Sequence, residues 1–165
     1  MKKVLLLTFL SLLLISCGST RKPTETVIIG NTNASVSTKK ISKIIKHAQS
    51  FEGTRYKFGG TSKKGMDCSG LVYVSFKQEK IALPRISRDM AKKGIRIRLS
   101  ETEKGDLVFF QTNKNRRVIN HVGLVVEKKK GDIRFIHATS SKGVIVSSLD
   151  EKYWKNAFVE VRRII

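Results

Sequence analysis

Residues 65–70 read GMDCSG, a cysteine between an acid and a serine and bracketed by glycines. Further on stand two histidines, His121 and His137, each at the start of or inside an apolar run. One thiol and two imidazoles suit a metal site, a nucleophile with a base and an orienting partner, or plain buried structure. Zinc ligands usually come in pairs two to five residues apart. Here Cys68 and the two histidines are separated by tens of residues, so a metal fits poorly. No serine stands in a Gly-x-Ser-x-Gly pattern, which leaves no competing serine nucleophile. A disulfide framework is ruled against as well, because the sequence has two cysteines and the other, Cys17, closes an apolar leader. Taken one at a time, a structural role remains the plainer reading of Cys68 and of each histidine. Together they suit a thiol nucleophile, Cys68, a general base, His121, and a polar partner, His137.

Such side chains need elements to position them. After Asp67 comes CSGLVYVSFKQE, in which Leu71, Val72, Ser75 and Phe76 share one helical face. This predicts a helix capped by the Asp67 carboxylate, with Cys68 in its first turn. A thiol there faces unpaired N–H groups and the positive end of the helix dipole, which favour the thiolate and can hold an oxyanion. Upstream, Ile41, Ile44, Ile45, Ala48 and Phe51 recur at helical spacing and predict one amphipathic helix, with Ser37 or Thr38 as its N-cap. His47 on that helix reads as surface or core edge. Pro84 breaks the chain, and 87–94 reads as a short third helix from a Ser87 cap to a Gly94 stop. After Ser100 the pattern changes to β-rich runs at 106–111, 121–127, 133–139, 143–149 and 158–164. Helices followed by a meander of strands is an α+β order. Strands packed on the cysteine helix would bring His121 to the sulfur, and His137 on the next strand could bond the far nitrogen of His121.

At 165 residues the chain fits one domain with a leader. Lys2 and Lys3 precede an apolar run from Val4 to Ile15, shorter than the roughly 20 residues that cross a bilayer and ordered like a secretory signal. The following LISC resembles a bacterial lipobox, which makes Cys17 the expected lipidation site. The expected organisation is therefore a lipoprotein signal peptide at 1–16, lipidated Cys17 with a flexible tether at 17–37, and a folded domain at 38–165. Gly18 after that cysteine lacks the aspartate associated with inner-membrane retention, so an outer membrane, where there is one, is the expected location, facing the periplasm. The formal net charge of +20 and a pI near 10.3 attract polyanions. For an exported chain these are anionic envelope polymers or lipid head groups. Nucleic acid is disfavoured, since no stacking aromatics are interleaved with the basic residues. KNRR at 114–117 and EKKK at 127–130 read as hairpin tips.

YKFGGTSKKGMDCSGLV, then LPRIS, KGDLVFF, NHVGLVVE and FIHATSSKGV, in that order, resemble the NlpC-type family of bacterial cell-wall cysteine peptidases. The resemblance runs from about Ile41 to the end. It implies a reduced papain-like α+β fold, with the cysteine at a helix N-terminus packed on a five- or six-stranded antiparallel sheet. It implies cleavage of peptidoglycan stem peptides, typically between D-isoglutamate and the third-position diamino acid, with no metal or cofactor. Position by position, Cys68 takes the nucleophile's place, His121 the base's and His137 the polar third member's. Tyr56 takes that of a tyrosine beside the oxyanion and substrate, and Asp67 and Ser69 those of substrate-contacting neighbours. The chain departs from the pattern after LPRIS, where Asp89, Met90 and Ala91 stand in place of a glutamine. Other amide or acyl chemistry at the same site, and a lipid-anchored wall-binding module without catalysis, are the alternatives.

Overall fold

The computed structural model describes residues 30–165 apart from 114, 116 and 117, with side chains from 37 onward. The leader, Cys17, most of the expected tether and all of the 114–117 cluster but Asn115 lie outside the described residues. Helix α1 spans Gly30–Gln49 and so begins eight residues before Thr38. No proline or glycine interrupts the chain from Asn31 to Gln49, and nothing stops the helix from extending into the expected tether. Ile44 and Ala48 are buried along it and Phe51 just past its end, while His47 is half-buried with its ring edge-on to Phe51.

A tight hairpin, β1 (Thr61–Ser62) and β2 (Gly65–Met66), leads into α2 (Cys68–Gln78). A short α3 (Ser87–Met90) follows, with Ile86 at its N-cap and Ser87 already inside it, and it stops well before Gly94. Six strands then form one antiparallel sheet: β3 (Ile95–Ile97), β4 (Leu107–Phe110), β5 (His121–Lys129), β6 (Asp132–Thr139), β7 (Gly143–Ser148) and β8 (Phe158–Arg163). Their order is β3-β8-β4-β5-β6-β7. A last helix, α4 (Lys152–Ala157), lies between β7 and β8.

The sheet is buried on both faces, which is why β4 reads as four consecutive apolar residues instead of an alternating strand. Leu107, Phe109, Val122, Leu124, Ile136 and Ala138 pack with Leu71, Val72 and Phe76 of α2 and Ile44 of α1. Val108, Phe110, Val125, Phe135 and Val161 form a second apolar layer closed by Trp154 and Ala157 of α4. The β5–β6 connection turns on Lys130 and Gly131, both at positive φ, the two-residue geometry that matches strand twist.

Candidate active site

Asp67 sits just before α2 in extended conformation, and its Oδ1 accepts the Gly70 amide at 2.6 Å. The predicted cap is therefore present. The loop ahead of it is locked onto the helix: a Cβ on Gly70 would meet the Gly60 carbonyl oxygen at 2.1 Å, so only glycine fits. The amides of Cys68 and Ser69 in the first turn, and of Val122 in β5 next to His121, act on the Cys68 thiol to favour its thiolate.

His121 is 9% exposed, and its Nε2 lies 2.9 Å from Nδ1 of His137, which is fully buried. Nδ1 of His121 is the ring nitrogen left for a thiol. Trp154 of α4 stacks on His121, with centroids 5.2 Å apart and 21° between planes, and meets His137 edge-on at 4.6 Å. Tyr56, Cys68, His121, Ser147 and Trp154 line one cleft of about 480 Å³, with Lys142 and Glu151 also on its walls.

Electrostatics correct one expectation. Burial pushes the Cys68 thiol up, and the Asp67 carboxylate adds to this, against the pull of the Val122, Ser69 and Cys68 amides. Desolvation therefore outweighs the helix terminus in the resting protein. Burial also lowers His121 to about 4, and His137 is driven lower still, by its own burial first and by His121 second. The resting pair is a neutral thiol and a neutral imidazole. Tyr56 is pushed up by burial, then by Cys68 and Asp67, so its hydroxyl stays protonated as a donor.

Asp67 and Ser69 do not line the cleft. The Asp67 carboxylate accepts from the Gly59 amide at 2.7 Å and, through both oxygens, from Arg85 at 2.9 and 2.8 Å. Arg85 also donates to Ser69 Oγ at 2.9 Å. Five donors surround Asp67, which makes it a scaffold of the turn that carries Cys68. Reasoning from sequence missed Arg85, Ser147 and Trp154. Arg85 stood inside the quoted LPRIS and carried a signal; the other two, one in a strand and one in a short helix, are single residues and carried none. Asp89 pairs with exposed Lys92 at 3.0 Å, and Met90 is buried in the core.

Residues 53–163 match the model of the NlpC/P60 family. The chain belongs to the NlpC/P60 family. Among NlpC/P60 relatives, the "Probable endopeptidase NlpC homolog" of Haemophilus influenzae is 44% identical over 114 residues, 68% of this chain and 57% of that protein. The "Murein DD-endopeptidase MepS/Murein LD-carboxypeptidase" of Escherichia coli K12 is 38% identical over 125 residues, 75% of this chain and 63% of that protein. The "Probable endopeptidase NlpC" of the same organism is 37% identical over 160 residues, covering 96% of this chain and 97% of that one. The chain spans about three-fifths of the length of the first two. A solved NlpC/P60 structure from Staphylococcus aureus, described as similar to lipoprotein, superposes with a TM-score of 0.67 at 32% identity, over 77% of this chain and 42% of that one.

Proposed function

We propose that this chain is a cell-wall cysteine endopeptidase that cleaves peptidoglycan stem peptides between D-isoglutamate and the third-position diamino acid. The observation that carries it is the placing of Cys68 at a capped helix N-terminus, in one cleft with His121, whose far nitrogen is held by His137. As a substrate amide approaches, the Cys68 proton moves to His121 Nδ1 and the sulfur attacks the carbonyl carbon. The amide of Cys68 and the Tyr56 hydroxyl are offered to the oxyanion. The imidazolium gives its proton to the leaving amine, the C–N bond breaks, and a thioester remains. Water, deprotonated by His121, attacks the thioester and releases the acid and the thiol. The reading extends to a lipid anchor at Cys17 and a location at the outer membrane facing the periplasm, supported by the sequence around LISC. The basic surface would add contact with anionic envelope polymers or lipid head groups.

The name of the murein DD-endopeptidase relative favours a second bond, the D,D cross-link between stems. Mass spectrometry of purified muropeptides after incubation with the protein separates the two, since one shortens single stems and the other splits cross-linked dimers. Cys68→Ala should abolish either cleavage, and His121→Ala should cost about 10³-fold or more. His137→Ala and Tyr56→Phe should cost less, about 10–1000-fold. Wild-type cleavage by Cys68→Ala would refute the reading. A Cys17→Ser form that still carried lipid label would refute the anchor.

A further inference from the structure

Behind the two histidines stands a third polar group. His137 Nε2 lies 3.0 Å from Oγ of Ser147, on the neighbouring strand β7, and Ser147 is 6% exposed. The rings of Phe135 and Trp154 flank His137 at 4.7 and 4.6 Å, so its polar edges point along this chain of contacts. His121 Nε2, His137 Nδ1, His137 Nε2 and Ser147 Oγ are therefore linked in series.

A neutral imidazole has one donor and one acceptor nitrogen, and that couples the two bonds. If the Ser147 hydroxyl donates to His137 Nε2, His137 must carry its proton on Nδ1 and donate to His121 Nε2. His121 then carries its own proton on Nδ1 and cannot accept one from a thiol. If Ser147 Oγ accepts, His137 is protonated on Nε2, His121 on Nε2, and His121 Nδ1 is bare. Ser147 lines the cleft, where its hydroxyl can donate a hydrogen bond to water. The accepting arrangement also survives protonation of His121, because the imidazolium still donates through Nε2 to His137.

We propose that Ser147 is a positioning residue for this site, whose Oγ, as terminal acceptor, fixes the one tautomer in which His121 can take the proton of Cys68. This rests on the reading of Cys68 and His121 as nucleophile and base. The proton moves from Cys68 Sγ to His121 Nδ1, breaking an S–H bond and forming an N–H bond, and Ser147 undergoes no covalent change.

The test is a double-mutant cycle on muropeptide cleavage, with Cys68→Ala as the control for the underlying reading. Ser147→Ala should lower kcat by about 5–50-fold with KM within about 2-fold, and in a His137→Ala background it should cost less than about 2-fold. Ser147→Thr, which keeps the hydroxyl, should restore activity. Long-range ¹H–¹⁵N spectra should show His137 protonated on Nε2 in the wild type and a mixture of tautomers in Ser147→Ala. Wild-type kcat in Ser147→Ala, an equal loss in both backgrounds, or unchanged His137 tautomers would overturn the proposal. Should Ser147→Thr fold poorly, the cycle and the spectra still decide. Full cleavage by Cys68→Ala would instead sink the nucleophile assignment, and the tautomer spectra would then judge Ser147 by itself.

Discussion

At the scale of single residues, the state of the Cys68 proton is set by a contest between burial and dipoles. The helix-terminal amides and the Val122 amide stabilise a thiolate, yet burial and the nearby Asp67 carboxylate prevail and the thiol is raised. His121, held down at about 4, is neutral at pH 7 and offers no imidazolium to pair with sulfur. The expected signature is a rate of Cys68 alkylation by iodoacetamide that is still climbing at pH 9, with no plateau between pH 4 and 8. A flat rate across that range would mean a preformed ion pair and would contradict the neutral resting state. The kcat/KM of peptide cleavage, by the same logic, should fall on the acid side only as pH approaches the His121 value near 4, since the base must be deprotonated to accept. The candidates Cys68, His121 and His137 were legible because cysteine and histidine are rare types with distinctive chemistry, and the structure brings them together. Ser147 and Trp154 were not, because a serine in a strand and a lone tryptophan look alike whether they hold a catalytic ring or merely fill space.

Elements, one scale up, were read well where hydropathy has a clear period and poorly where tertiary contacts decide. The helix at Cys68 announced itself through a cap and an apolar face, and the strands from β4 to β8 through β-branched and aromatic runs. The edge strand β3 is three residues with two exposed, and α4 is six residues with Trp154 and Ala157 buried, too short for either period to show. What fixes the nucleophile turn is the pairing of Asp67 with Arg85, brought together across 18 positions of sequence. The Asp67 side chain is 9% exposed and that of Arg85 33%. Arg85→Met would leave the carboxylate with two backbone donors, the Ser69 hydroxyl and no cation. Loss of one partner from a buried pair costs about 3–5 kcal/mol, and partial exposure of Arg85 places this case near the lower end, about 3 kcal/mol. Urea unfolding should show a lower midpoint with an unchanged slope. A midpoint equal to that of the wild type would show that Gly59, Ser69 and Gly70 hold Asp67 without Arg85.

Over the whole molecule, the functional constellation lies at one end of a sheet covered on both faces, so the site's requirements become part of the stability of the fold. The same burial that keeps His121 and His137 neutral makes folding depend on pH. Each histidine has a folded value below the ordinary 6.5, so between pH 6.5 and about 4 the unfolded chain binds protons that the folded chain refuses. The stability these rings contribute is present above pH 6.5 and is lost as pH falls toward the folded values. For His121 alone, a drop from 6.5 to about 4 amounts to about 2–3 kcal/mol by pH 4.5. His47 is also lowered by burial, but it sits half-buried on α1, away from the cleft. His137, held lower still, adds a similar amount, so at roughly 2–4 °C per kcal/mol for a chain of this size thermal unfolding of Cys68→Ala protein should show Tm falling by about 10–20 °C from pH 7 to 4.5. Ordinary carboxylates, with values near 4, begin to titrate only at the lower end of this window. Replacing both rings, in His121→Gln/His137→Gln, should leave only a shallow decline across it. An equally steep decline in the double variant would mean that other groups carry the pH dependence and that the two rings are not held neutral by the fold.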